Sequence, residues 1–288
     1  MANPPSSPEF DWKMYRYVPS RAGAVVCAVI FFIMTLLHLW QFVKLKNRIL
    51  IFVVIGALCE VGGFGARIGS HFDDTAWGPF IVQGTLLLVG PLFFAATIYM
   101  MLGRTIRLAD GEDVSLIPAR WYTRIFVAAD VSTLTIQGLG AGIMGTMKLH
   151  LALAGEKIVI AGLVLQVATF IIFLVAAIDF QIRMNKKAAN VPHEAASKPT
   201  NSWRKMLYIL YSVSTLVLAR CVFRLIEYAM GNASYLIAHE WTLYVFDAVP
   251  MFLVLVLLLA LQPAKYATLE SKKAEEASDG EMGLVQSK

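Results

Sequence analysis

Charged side chains lie inside the apolar stretches of this 288-residue chain, and seven of them are candidates for chemistry. They are Glu60, Arg67, Asp130, Arg220, Arg224, Glu227 and Asp247. Near the centre of a bilayer each such group costs roughly 2.5 to 3.5 kcal/mol, so the set represents on the order of 20 kcal/mol that a simple anchor would avoid. Because intramembrane charges usually line a polar path or a ligand site, we expect this chain to bind or move a polar group within the membrane.

The composition requires a membrane protein around these charges. Hydrophobic residues make up 58% of the chain and charged residues 16%, and the mean hydropathy is +0.64. Seven apolar runs each approach the roughly 20 residues that cross hydrocarbon as a helix. They fall at about 22–43, 49–69, 79–103, 122–144, 156–180, 206–230 and 241–262, and are called spans 1 to 7. The predicted fold is an all-α integral membrane domain over residues 22–262, between an N-terminal segment (1–21) and a disordered cytosolic tail (263–288).

The basic residues predict the orientation of the chain. They concentrate in the loops after spans 1, 3 and 5 and in the tail, whereas the loops after spans 2 and 6 have none. The positive-inside rule therefore places the N-terminus outside and the C-terminus in the cytosol. Asn232, Ala233 and Ser234 form a glycosylation acceptor in the last loop, which this orientation places outside. The net charge of +5 thus reflects orientation, and we expect no nucleic-acid partner.

Polar residues recur at helical spacing on four spans, so each of these spans presents one polar face. We expect the faces to point inward and to form a substrate-binding cavity, open toward the outside or the outer leaflet. The residues in addition to the seven charges are Gln83 on span 3, Gln137 on span 4, Gln166 on span 5 and Tyr244 on span 7. The alternative is an ion-pair network, with Glu60 or Asp247 against an arginine of span 6, that only fixes helix packing.

Helix-packing signals accompany the charges. The segments GALCEVGGFGARIG in span 2 and QGLGAG in span 4 predict that neighbouring backbones approach closely. Pro91 and Pro250 lie inside spans 3 and 7, where each removes a backbone hydrogen bond and favours a kink.

Several classes of function lack the residues that they require. Span 7 has no lysine for a retinal Schiff base, and His38 is the one histidine inside a span, which disfavours a haem-based electron carrier. No P-loop, metal cluster or nucleophile with a nearby base is found, so we expect no enzyme, no cofactor and no bound metal. A receptor that binds an amphiphile and signals through its cytosolic loops stays as an alternative. The familiar signatures of G-protein receptors are missing, however, because span 3 ends LGRTIR without an acidic partner beside Arg104 and span 7 reads DAVPMFL.

Several motifs in order resemble one family. They are YRYVPSRAG, EVGGFGAR, QGTLLLVGPLFFAATIYMMLGR, ADVSTLTIQGLGAG, ARCVFRLIEYAMG and HEWTLYVFDAVPM. From about Tyr15 to Gln262 the chain resembles the fungal RTA-like family of lipid-translocating exporters. The resemblance implies a seven-helix protein of the plasma membrane or endomembranes that moves amphiphiles such as sphingoid bases or toxic sterol analogues, and so confers resistance. One branch of the family implies porphyrin or haem as cargo instead.

A mechanism follows as a hypothesis from the residue types. The cavity would hold the polar head of a long-chain amphiphile while its tail lies between helices or in lipid. Carboxylates would bind an amine, and arginines a phosphate or carboxylate. Since the chain has no ATP-hydrolysing motif, a buried acid such as Glu60 or Asp130 is expected to change its protonation as cargo enters and leaves.

Overall fold

The computed structural model describes residues 20–72, 77–109, 111–113, 115, 118–144, 149–189, 202–231 and 235–261. Six long helices come first in the chain. They are α1 (Arg21–Leu45), α2 (Ile49–Phe72), α3 (Trp77–Leu108), α4 (Ala119–Met144), α5 (Leu149–Ala189) and α6 (Ser202–Ala229). After these, the short helices α7 (Tyr235–Ala238) and α8 (Glu240–Leu243) lead into a π-helical turn (Tyr244–Ala248) and α9 (Val249–Leu261).

The described residues contain seven helices that are long and apolar enough to cross a membrane. The seventh is continuous from Glu240 to Leu261 and combines α8, the π-helical turn and α9; we call it the seventh span. The all-helical, seven-span prediction is therefore confirmed. No strand occurs in the described ranges.

Helix α3 is the centre of the bundle, since it packs against α2, α4 and α6. α1 lies at the periphery, where it contacts α2 and α9 and exposes one apolar side that includes Val26, Ile33 and Trp40. A helix that is apolar on its exposed side is suited to lipid. Buried polar residues lie on the helices inside this periphery, on α2, α3, α6 and the seventh span.

Pro250 has a different effect from the simple kink that the sequence predicts. The seventh span widens to a π-helical turn just before this proline, and the N–H of Val249 bonds to the carbonyl of Tyr244, five residues earlier. Pro250 itself has no N–H, and its ring crowds the carbonyl four residues before it. The turn carries Asp247, and π-helical turns of this kind occur frequently at functional sites.

Glycine brings α4 and α5 into backbone contact. A Cβ on Gly140 would lie 2.8 Å from the carbonyl oxygen of Gly155, and a Cβ on Gly155 would lie 2.6 Å from the carbonyl oxygen of Gly140. The close approach predicted from QGLGAG is thus confirmed at its central glycine. The outer two, Gly138 and Gly142, have nothing within 4 Å of the same position.

We expect Gly140→Leu to lower the stability of the bundle by about 1–3 kcal/mol, because the new side chain meets the α5 backbone. Gly138→Leu and Gly142→Leu are matched controls on the same helix and should change stability by less than about 0.5 kcal/mol. Thermal unfolding in detergent compares the three variants. Equal effects at all three positions would contradict the observed contact.

Pairs of tryptophan and a basic residue surround one end of the bundle. Lys44 lies 4.9 Å from the Trp40 ring centre at the end of α1, Arg124 lies 5.9 Å from Trp121 at the start of α4, and the guanidinium of Arg204 lies 5.2 Å from Trp203 at the start of α6. Tryptophan and basic side chains are typical of the membrane–water interface. This is also the end that the basic loops assign to the cytosol.

Candidate functional site

A buried ion pair joins α6 to the seventh span. Nε of Arg220 lies 2.5 Å from Oδ1 of Asp247, and both side chains are 3% exposed. A second guanidinium nitrogen of Arg220 donates to the backbone carbonyl of Leu87 in α3. Pro91 lies four residues after Leu87 and has no N–H, so it leaves this carbonyl without its usual intrahelical donor. The arginine therefore links three spans.

The second arginine of α6 pairs within its own helix. Nη1 of Arg224 lies 2.9 Å from an oxygen of Glu227, one turn further along. Its guanidinium also lies 5.9 Å from the ring centre of Tyr228. Nε of Arg224 is buried and has no hydrogen-bond partner among the described residues. This edge of the guanidinium therefore keeps an unused donor for a ligand oxygen.

Glu240, the first residue of the seventh span, accepts hydrogen bonds from the third arginine and from two further donors. Oε1 accepts from Nη2 of Arg67 at 2.7 Å and from the hydroxyl of Tyr244 at 2.8 Å. The backbone N–H of Ser20, the residue that caps α1, donates to the same carboxylate. Gly23 makes room for this arrangement, because a Cβ there would lie 2.6 Å from the Tyr244 hydroxyl. The contact closes one end of the polar interior with α1, α2 and the seventh span.

Glu60 is the carboxylate that has no arginine of its own. Its side chain is 1% exposed, and Oε1 is buried with no hydrogen-bond partner in the part of the chain that the structure describes. Oε1 lies 2.8 Å from where a Cβ on Gly90 would stand, so a glycine on α3 makes room for this carboxyl group. Glu60 interacts electrostatically with Asp247, Arg220 and Arg224.

These groups form what we call the charged cluster: Glu60, Arg67, Arg220, Arg224, Glu227, Glu240 and Asp247. Three arginines meet three carboxylates in pairs, and Glu60 is a fourth carboxylate. With every group ionised, the cluster therefore carries one surplus negative charge. An unpaired buried charge is strongly unfavourable, so this surplus calls for a proton or a cationic ligand.

The remaining predicted residues lie in other parts of the bundle. Asp130 accepts a hydrogen bond of 2.8 Å from the hydroxyl of Tyr99 on α3. Gln137 donates to Gln166 at 2.9 Å, which joins α4 to α5. Gln83 is buried on α3, one turn before Leu87. Asn232, the predicted glycosylation site, lies outside the described residues.

The structure contains one of the ion pairs that the packing alternative predicts, since Asp247 pairs with Arg220. Arg224 takes Glu227, a partner that the prediction did not name. The side chains of the charged cluster range from 1% exposed for Arg67 to 17% exposed for Glu240, and the outward cavity stays a prediction. Two partners were absent from the predicted site, Glu240 and Tyr99. Glu240 could have been included, because it lies one helical turn before Tyr244 on the same polar face. Tyr99 lies in an apolar run, and no pattern in the sequence marks it.

The described residues contain no group of three or more histidine, cysteine, aspartate or glutamate side chains that could hold an ion. The three cysteines, Cys27, Cys59 and Cys221, are free thiols inside helices.

Seven membrane-spanning helices that enclose paired charges and one surplus carboxylate define a multi-pass membrane protein with a polar interior. The chain belongs to the RTA1-like family, whose model, described as RTA1 like protein, matches residues 53–270.

The chain is similar to three Saccharomyces cerevisiae proteins that carry different names. The chain is 33% identical over 279 residues to protein RTA1, covering 88% of this chain and 85% of that protein. It is 31% identical over 286 residues to protoporphyrin uptake protein 1, covering 87% of this chain and 92% of that protein. It is 26% identical over 276 residues to sphingoid long-chain base transporter RSB1 of strain YJM789, covering 85% of this chain and 72% of that protein. No solved structure matches the chain.

Proposed function

We propose that this protein moves an amphiphile with a polar head across the membrane, and that the charged cluster binds the head. The observation that carries this proposal is Glu60, a buried carboxylate without a cation of its own beside three arginines that each have a carboxylate. A protonated amine would neutralise the surplus charge and donate to Oε1. The names of the relatives, which include a sphingoid-base transporter, support a lipid-like cargo.

A carboxylate-bearing cargo is the second candidate. Arg224 offers a buried Nε without a partner, and an anionic oxygen could accept from it. The relative named for protoporphyrin uptake is consistent with such a cargo. A cationic head group would bind at Glu60 and an anionic head group at Arg224. The charge of the head group therefore distinguishes the two candidates.

Cargo entry requires the closed cluster to open. We infer that the contact of Arg67, Tyr244 and Ser20 with Glu240 is the gate on the outer side, in a protein with its N-terminus outside and its C-terminus in the cytosol. Glu240 is 17% exposed, against 1% for Arg67, so the contact lies at the edge of the interior. The tryptophan and basic pairs at the opposite end support this orientation. We propose the plasma membrane as its location, with an endomembrane as the alternative.

The test is transport by the purified protein in vesicles. A labelled single-chain amine, its neutral N-acylated counterpart and a porphyrin are loaded in turn into one leaflet, and a membrane-impermeant quencher reports when each reaches the other. We expect the amine to cross at least tenfold faster than in protein-free vesicles and the neutral counterpart to gain nothing. Protease cleavage of a C-terminal tag gives the orientation of each preparation. Tight amine binding without movement would favour the receptor function, and movement of the porphyrin alone would favour the second candidate.

A further inference from the structure

A second buried carboxyl group, Asp130, lies apart from the charged cluster. Its side chain is 3% exposed in the middle of α4. The hydroxyl of Tyr99 donates to Oδ2 at 2.8 Å, whereas Oδ1 is buried without a hydrogen-bond partner among the described residues. No ion pair to Asp130 occurs among the described residues, and Arg220 pairs with Asp247 instead.

The surroundings of this pair are aromatic. The Tyr99 ring lies 5.5 Å from Phe126, 6.2 Å from Phe170 and 4.6 Å from Phe173, measured between ring centres. Helices α4 and α5 thus enclose the pair with hydrocarbon and supply no charge at this level. An ionised carboxylate with one neutral donor is strongly disfavoured in such a setting.

The titratable groups that face Asp130 are few. Tyr99 comes from α3 and Cys221 from α6, and α5 contributes phenylalanines at this depth. Neither tyrosine nor cysteine carries a positive charge that could hold the carboxylate ionised. A proton is the smallest cation that can neutralise Asp130 without opening the aromatic enclosure.

From this geometry we propose that Asp130 is a proton-binding site that couples cargo movement to a proton gradient, with Tyr99 as its positioning residue. In the closed form shown by the structure, Asp130 is the neutral acid, with its proton on a carboxyl oxygen. When the bundle opens to water, the proton leaves Asp130 for the aqueous phase on that side, and a proton from the opposite phase replaces it after the return. One proton is taken up and one released per cycle, and Tyr99 keeps its own hydroxyl proton.

The physical link to the cargo runs through α3. This helix carries Leu87, whose carbonyl accepts from Arg220, and Tyr99, whose hydroxyl donates to Asp130. A movement that opens the Arg220–Asp247 pair and withdraws Arg220 from Leu87 therefore acts on the helix that holds Asp130. This coupling rests on the proposed transport function, whereas the protonation of Asp130 does not.

Infrared difference spectroscopy of the purified protein tests the protonation directly and needs no cargo. During a pH titration, the protein should show the carbonyl stretch of a protonated carboxylic acid near neutral pH. Asp130→Asn should remove this band, and Tyr99→Phe, which keeps the aromatic packing, should shift it. Asp179→Asn is the control, because that carboxylate is partly exposed and paired with Arg183 at 2.7 Å, so it has a counter-charge that Asp130 lacks. A wild-type spectrum that Asp130→Asn and Tyr99→Phe both leave unchanged would overturn the proposal.

The coupling is tested in weakly buffered vesicles that contain a pH-sensitive dye. Wild-type protein should acidify or alkalinise the lumen when amine cargo moves, and a proton gradient should speed that movement several-fold. Asp130→Asn should still bind and move the cargo downhill but lose both responses. Persistence of both responses in this variant would overturn the coupling. A failure of the wild-type protein to move any cargo would instead count against the proposed function and leave the spectroscopic result to decide the proton site.

Discussion

Replacement of Asp247 by alanine should lower the stability of the protein by about 3–5 kcal/mol, because it leaves Arg220 buried without its counter-charge. Both side chains of the pair are 3% exposed, so water cannot take the place of the missing carboxylate. The remaining contact of Arg220, with the carbonyl of Leu87, satisfies a donor but not the charge. Thermal unfolding in detergent and the yield of folded protein measure the loss.

A partly exposed ion pair in the same bundle provides the control. Asp179 and Arg183 lie one turn apart on α5, with side chains 34% and 46% exposed. Helical pairs at this spacing contribute about 0.3–0.5 kcal/mol, so Asp179→Ala should cost far less stability than Asp247→Ala. If the two alanine variants lost the same stability, burial would not govern the strength of the Arg220–Asp247 pair.

The charge exchange separates a structural role from a binding role. Arg220→Asp combined with Asp247→Arg keeps two opposite charges between α6 and the seventh span, and should recover part of the stability that either single change removes. If the pair only fixes packing, transport should return with stability. If the pair also orients the cargo head, the exchanged protein should fold and remain inactive. No recovery of stability would show that the Leu87 carbonyl and the π-helical turn accept only the native arrangement.

The number of spans and the intramembrane charges could be predicted from the sequence for a simple physical reason. Hydrocarbon excludes unpaired backbone groups and charges, so apolar runs of about 20 residues and the exceptions within them are visible one residue at a time. The close contact at Gly140 was also predictable, since α4 has small residues where another helix must approach. These features depend on local composition.

The pairing of the charges could not be predicted in the same way. Helical spacing places Arg220 and Arg224 on one face of α6, and either could reach Asp247 if only the face is known. The choice depends on how α6 is rotated and shifted along its axis relative to the seventh span. The π-helical turn adds one residue to the helical turn that contains Asp247, and this changes the direction in which Asp247 points. Tyr99 illustrates the same limit, because its partner is 31 residues away on another helix.

The effect of Pro91 on α3 depends on a side chain of another helix. The sequence predicts that it weakens α3 by removing one hydrogen bond. In the structure, the carbonyl released by Pro91 belongs to Leu87, which is the acceptor for Arg220. The proline thus supplies a polar contact inside an apolar helix, next to Gly90 and the carboxyl group of Glu60.

Replacement of Glu60 by glutamine should leave the fold intact and remove most of the transport of a cationic amphiphile. Glutamine has nearly the same size and fixes the neutral form, so the cluster keeps its three ion pairs and loses only the surplus charge. A charge-assisted hydrogen bond to the amine is worth about 1.5–3 kcal/mol, which corresponds to roughly a 10- to 100-fold loss of cargo affinity. Binding of a labelled single-chain amine to purified protein, and its movement between leaflets, measure the effect.

Gly90 provides an independent way to disturb the same carboxyl group without changing its chemistry. A Cβ at Gly90 would lie 2.8 Å from Oε1 of Glu60, so Gly90→Ala must displace that oxygen and should weaken amine binding in the same direction as Glu60→Gln. Gly84→Ala is the matched control on α3, because nothing lies within 4 Å of its Cβ position. Combining Gly90→Ala with Glu60→Gln should add little, since both act on one contact. Normal amine transport by the Glu60→Gln protein would remove Glu60 from the binding site and leave it a residue that only fills the space beside Gly90.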